Sequence, residues 1–244
     1  MLMQLILLFL FAGVPYYVYF EKTKQLSSEN VFLLSALLVV VGISLEYIYP
    51  QEPSMYFVFV AFLTSLFSLY RANKTTNLYK LSYYILFFNA PMLMMFENHE
   101  GILYAISLLL TLFGIYLMGK YYERNYGSAN YKQVTGITLV TPYAGLFLTL
   151  YLTTLALYPP FPNSLLFLNA ILSAELNTLW YLVVIVIFFG NFLIAVKVMA
   201  RTVFGKPNDN VHYIDLTVKE RGIHITMFTL LFIFSIIGLS EVLS

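Results

Sequence analysis

Apolar residues run along this chain in blocks longer than a soluble helix needs. The runs cover residues 2–20, 31–49, 55–70, 81–96, 101–118, 137–157, 178–200 and 223–243. A helix needs about 20 mostly apolar residues to cross the roughly 30 Å hydrocarbon layer, so each run predicts a crossing. A shorter apolar piece, 164–174, follows a proline-rich break at Pro159, Pro160 and Pro162. Either 137–175 forms one traverse interrupted at those prolines, or the short piece joins the helix after it. Both arrangements keep about eight crossings. The longest polar stretch is roughly 201–222, so the pattern predicts an all-α, polytopic transmembrane helix bundle, a single membrane domain over residues 1–244.

Composition agrees with this reading. The chain is 60% apolar, 18% aromatic and 10% charged, against about 25% charged for an ordinary soluble domain. Charge placement adds orientation. All thirteen Lys and Arg residues lie around Lys22 and Lys24, around Arg71, Lys74 and Lys80, around Lys120, Arg124 and Lys132, or between Lys197 and Arg221. The stretches that alternate with these, 50–54, 97–100 and 158–177, contain no basic residue. By the positive-inside rule the four basic segments are cytoplasmic and both termini lie outside. The expected location is a bacterial or archaeal cytoplasmic membrane. Residues 2–20 lack a basic amino-terminal region and a small-residue cleavage site, so they are expected to remain as a span. Tyrosines at 16, 17, 19, 47, 49, 121 and 122 suit anchoring at the membrane interface.

Chemistry is sparse. Cysteine is absent, which excludes thiolate catalysis, disulfides and cysteine-held metal or iron–sulfur centres. No Gly-rich phosphate loop, His-Glu-x-x-His motif or Gly-x-Ser-x-Gly turn occurs. No catalytic, cofactor-binding or metal-binding residue is expected, and with a net charge of +1 and no basic patch, no nucleic-acid partner. Ionisable residues in spans are the default candidates, because hydrocarbon makes them costly. Glu46 and Glu175 lie near span ends and also fit snorkelling. Lys197, four residues before Arg201, also fits cytoplasmic anchoring. His224 starts the last run and also fits an interfacial position, as does His212. Glu97, His99 and Glu100 fit a solvated turn better than a metal site.

The stretch from 131 to 209 carries a more particular pattern. Gly136-Ile137, Pro142, Pro159-Pro160-Phe161, Lys197 with Arg201, and Val203-Phe204-Gly205 follow one another in order. This order resembles the carboxy-terminal part of the antiporter-like membrane subunits of respiratory complex I, group 4 membrane-bound hydrogenases and multisubunit cation/proton antiporters. The resemblance covers about residues 130–210, with 223–243 as a continuation, and leaves 1–130 unassigned. It implies a shortened, diverged, non-catalytic subunit of such a complex, with other membrane subunits as partners and cofactors held elsewhere. It also favours 137–175 as one discontinuous crossing. Family members place a Lys or Glu just beyond the break, at mid-membrane, to relay protons. Here that stretch reads Leu165, Leu166, Phe167, Leu168 and Asn169, and an Asn can order water but cannot titrate near neutral pH. The implied polar stations of an ion path are Asn169, Glu175, Lys197 and His224. A non-conducting scaffold subunit and a stand-alone small-solute carrier are the alternatives. Gly13-Val14-Pro15 followed by Glu21-Lys22 echoes the break in the first run and is treated as coincidence.

Overall fold

The computed structural model describes residues 1–50, 54–95, 98–173, 178–209 and 212–243. These form helices α1 (Leu2–Leu10), α2 (Tyr17–Thr23), α3 (Ser28–Ile48), α4 (Met55–Lys74), α5 (Leu78–Phe88), α6 (Ala90–Met95), α7 (Asn98–Tyr126), α8 (Ile137–Val140), α9 (Pro142–Leu155), α10 (Pro162–Ser173), α11 (Thr178–Thr202) and α12 (Val218–Leu243). Five of them, α3, α4, α7, α11 and α12, are each long and apolar enough to span a bilayer. The outward faces are apolar too: Phe59, Leu63, Phe189, Leu193 and Phe232 are all more than half exposed. Water would penalise such a surface, whereas acyl chains match it. The chain is an integral membrane protein built as an all-α bundle.

Three further passes are pairs of shorter helices in series. The first run, expected as one helix, stops at Leu10 and restarts at Tyr17. Pro15 cannot continue a helix, and Ala12 takes a left-handed φ of 60°. The fourth run stops at Phe88, two residues before α6, with Pro91 removing a further N–H donor. The 137–175 run is interrupted after α9, where Leu157 turns left-handed and a cis Pro159–Pro160 peptide leads into α10. Pro142 also divides this run early, splitting α8 from α9.

Contacts along α7 show how α9 and α10 cross. Tyr151 of α9 packs on Gly114, where an added Cβ would sit 2.1 Å from the ring. Asn163 of α10 bonds Thr111 at 3.3 Å, and Phe167 lies 5.9 Å from Tyr104. Rising numbers on α9 and α10 meet falling numbers on α7, so the two helices form one discontinuous traverse antiparallel to α7. On α12, His224 meets Tyr151 while Ser235 meets Pro160, so α12 runs parallel to that traverse. The count of about eight passes follows, and the arrangement in which the short piece joins the next helix is not adopted. Within its spanning window α7 is 67% buried, against 22% for α12 and 28% for α3. α7 is therefore the central helix, and α3 and α12 are peripheral.

The basic segments converge on one end of the bundle. Arg71 pairs with Glu21, Lys120 with Glu29 at 2.7 Å, and Arg124 with Glu220. The Tyr131 hydroxyl donates to the Thr75 carbonyl at 3.0 Å. Two loops singled out in sequence also meet there. Thr135 Oγ1 donates to the Lys206 carbonyl at 2.8 Å, Thr138 Oγ1 to that of Val203 at 3.3 Å, and Asn208 Nδ2 to that of Gln133 at 2.7 Å. Gly136 sits at the centre with φ 64°, and a Cβ there would lie 2.7 Å from the Gly205 carbonyl oxygen and from the Pro207 nitrogen. Gly127 has a similar φ of 75° but open space around it. The left-handed conformation alone costs a non-glycine residue about 1–2 kcal/mol. Gly127→Ala should therefore lose only that amount, and Gly136→Ala distinctly more, because backbone has to move. Unfolding midpoints of the two variants in detergent check this order.

Candidate functional site

A stripe of small and polar residues runs down the buried face of α7. Tyr104, Ser107, Thr111 and Gly114 recur at three- and four-residue intervals, which places them on one side of a 3.6-residue helix. Three groups of partners meet this stripe.

At the upper station, Tyr104 donates to Asn89 Oδ1 at 3.1 Å. Asn89 and Asn191 exchange amide hydrogen bonds of 3.1 and 2.8 Å. Asn89 Nδ2 also donates to the Ile85 carbonyl at 2.9 Å. All three side chains are fully buried. Asn89 occupies the gap between α5 and α6, and its amide adds a second donor to the Ile85 carbonyl, which already accepts the Asn89 backbone N–H at 3.0 Å.

At the middle station, Asn163 accepts a hydrogen bond from Ser107 and donates to Thr111 Oγ1 at 3.3 Å. Asn163 opens α10, directly after the proline break, and is fully buried.

At the lower station, the Tyr151 hydroxyl lies 2.9 Å from His224 Nδ1, with Met227 Sδ at 3.6 Å. Phe147 stacks on the imidazole at a centroid distance of 4.8 Å. Gly114 makes room for Tyr151. One turn before His224, Glu220 binds Arg124 and closes a capping box on Thr217, with bonds of 2.8 Å from the Thr217 N–H and 2.7 Å from its hydroxyl. The carboxylate thereby stabilises the start of α12 and ties it to α7.

The three stations are electrically neutral at mid-depth. Among the described residues, Asp, Glu, Lys and Arg in the helices fall within the first or last two turns. A denser charged cluster lies at the basic end beside the first break. Glu21 accepts hydrogen bonds from Tyr83 at 2.7 Å, from Tyr84 and from Arg71, while Arg71 also donates to the Tyr84 hydroxyl at 3.0 Å. The Glu21 side chain is 15% exposed. This network fastens α2 to α4 and α5.

The candidates from sequence separate in space. His224 belongs to the lower station and is 2% exposed, its ring buried within the bundle. Asn169 is buried on α10, on a different face from Asn163. Lys197 reaches away from the stripe and donates to the Asn73 carbonyl at the end of α4. Glu175 and Glu97 lie outside the described residues, as do the side chains of His99 and Glu100. Among the described residues no group of His, Asp and Glu is placed to hold a metal. Asp215 accepts from the Tyr143 and Ala144 N–H groups at 3.0 Å and caps α9. Glu46 sits in the last turn of α3 beside Gln4 and Ser54. Asn89, Asn163, Asn191 and Tyr151 are uncharged at neutral pH and lie inside or next to apolar runs, so charge does not single them out in the sequence. An uncharged amide or phenol inside an apolar run is the signal that marks them.

No protein-family model matches the chain, and no curated protein matches it in sequence.

The reciprocal Asn89–Asn191 pair gives a direct energetic expectation. Removing Asn89 strands the Asn191 amide in the core, at a cost of about 1–3 kcal/mol, whereas removing Asn191 leaves Asn89 still bonded to Ile85 and Tyr104. Removing both strands neither. Asn89→Leu and Asn191→Leu should each lower stability, and the double variant should lose less than their sum by about 1 kcal/mol. A double-mutant cycle on unfolding in detergent measures that coupling.

Proposed function

We propose that this chain is a membrane subunit of a multisubunit proton-translocating oxidoreductase or cation/proton antiporter complex, contributing an ion path along α7. It sits in a bacterial or archaeal cytoplasmic membrane with its basic end inside and both termini outside. Its partners are the other membrane subunits of that complex. It binds no cofactor of its own.

The observation that carries this reading is the buried file of hydroxyl, amide and imidazole groups beside an interrupted span, ending at Tyr151 and His224. Membrane helices are interrupted where backbone lines a cavity or meets side chains that replace the lost hydrogen bonds, and transporters place ion sites there. Successive polar residues on α7 are spaced by about 4.5–6 Å along its axis, which single ordered waters can bridge. His224 supplies the imidazole of this file, a ring whose two nitrogens can pair one donor with one acceptor. The residues that carry the resemblance to antiporter-like subunits, Gly136 and Gly205, also lie against each other at the basic end.

A second reading is a scaffold subunit that packs the membrane arm without conducting. The neutrality of the mid-depth stations, with Asn169 where the family has Lys or Glu, favours it.

Proton flux separates the two. The full-length chain in liposomes with an entrapped pH dye should dissipate an imposed pH gradient faster than protein-free vesicles. His224→Asn should slow that flux by about tenfold or more, as loss of a relay group does, and Tyr151→Phe by less. A wild-type rate equal to that of protein-free vesicles, or one unaltered by His224→Asn, leaves the scaffold role.

A further inference from the structure

The proline break opens a lateral groove between the α9–α10 traverse and α12. Its volume is about 660 Å³, within the roughly 300–1,000 Å³ range of ligand pockets. Phe147, Leu150, Pro160, Phe228, Phe232 and Leu239 contribute apolar walls. Two hydroxyls also line it, but both are engaged: Ser235 donates to the Pro160 carbonyl and Thr229 to that of Ile225, each at 3.0 Å. The walls therefore offer no donor to a polar ligand. From Ile225 to Leu239 the groove extends about 21 Å along α12. That is more than half of the roughly 30 Å hydrocarbon layer, the depth one acyl chain reaches from an interface.

The end of the groove nearest the basic loops is closed by a charged group. Arg221, Ile225, Phe228, Phe232 and Leu239 follow helical spacing on one face of α12, so the guanidinium stands in line with the groove floor. Arg221 Cζ lies 3.7 Å from the centroid of the Tyr143 ring, and Tyr143 is one turn before Phe147 on the opposite wall. Arg221 Nε donates to the Leu216 carbonyl at 2.8 Å. No carboxylate forms an ion pair with Arg221 among the described residues. Lys219, in the same turn, is exposed and adds positive potential. A guanidinium fixed by an aromatic ring at the mouth of an acyl-length groove matches one chemistry: phosphate at the interface with hydrocarbon below it.

We propose that this groove binds an anionic phospholipid, its phosphate on Arg221 and one acyl chain lying past the Pro160 break against α12. The lipid fills the space that the interruption leaves beside α12. The proposal is independent of whether the chain conducts ions.

Tryptophan quenching tests it in the full-length chain. Trp180 is the single tryptophan and lines a separate cavity with Phe59 and Phe62 of α4. Trp180→Phe therefore gives a silent background in which Phe232→Trp reports from the groove. In phosphatidylcholine vesicles, brominated phosphatidylglycerol should occupy the groove about fivefold more readily than brominated phosphatidylcholine, the scale of one basic residue at a membrane surface. Arg221→Gln should abolish that preference and Arg221→Lys should retain it. Where Arg221→Gln fails to fold, unlabelled phosphatidylglycerol should relieve the quenching in the Arg221 protein while phosphatidylcholine does not. Equal quenching by both lipids, a preference that survives Arg221→Gln, or no quenching by either lipid, as when a protein segment fills the groove, overturns the proposal.

Discussion

In hydrocarbon every backbone N–H and C=O has to be answered from within the protein, because no water stands by to do it. This constraint is strictest where a spanning helix stops halfway, and here three passes do so. At the first, Thr64 on α4 donates to the Gly13 carbonyl at 2.8 Å. At the second, the Asn89 side chain joins its own backbone N–H on the Ile85 carbonyl. At the third, Ser164 donates to the Phe161 carbonyl at 2.9 Å, and Ser235 to that of Pro160 at 3.0 Å. Each break is thus bound to side chains within its own pass or on a neighbouring helix. The packing order of the bundle follows from these obligations as well as from apolar contact.

Polar groups also enter the interior near the breaks, and α7 meets Asn89, Asn163 and Tyr151. Ser107, Thr111 and Gly114 present small surfaces, which lets α9 and α10 approach closely enough for Asn163 and Tyr151 to reach their partners. Small and hydroxylated residues serve helix contacts in membranes in this way, since lipid supplies little hydrophobic drive between helices. Among the described residues the interior is uncharged at mid-depth, and the ion pairs lie at the basic end. Such an arrangement suits a route for protons through hydroxyls and ordered water, and it also suits a rigid packing element. Proton flux that depends on His224 is what separates the two roles.

Much of the fold was legible from the chain because membrane spans declare themselves by length and hydropathy. The five long helices lie on runs read from sequence, and the break at Pro159 and Pro160 was visible as prolines within an apolar stretch. The breaks at Gly13 and Asn89 were harder. A single proline near a run's middle or end is compatible with a continuous helix, and neither the left-handed turn at Ala12 nor the Thr64 hydroxyl that meets the Gly13 carbonyl is visible in the run itself. The site was less legible still. His224 stood out as ionisable, but its burial depends on Phe147 and Tyr151, more than 70 residues earlier in the chain. Asn89 and Asn191, 102 residues apart, reveal nothing separately, since each reads as an isolated amide in an apolar helix.

The central claim is that the polar stripe of α7 is a hydrated route and not a dry packing seam. Because the chain contains no cysteine, single cysteines can be introduced without removing any. Labelling Ser107→Cys, Thr111→Cys and Asn163→Cys in vesicles with a small, membrane-impermeant thiol reagent measures water access along the stripe, with the lipid-facing Phe113→Cys as a control at similar depth. The account predicts that the three stripe positions react and the control does not. Stripe cysteines as unreactive as the control would contradict it.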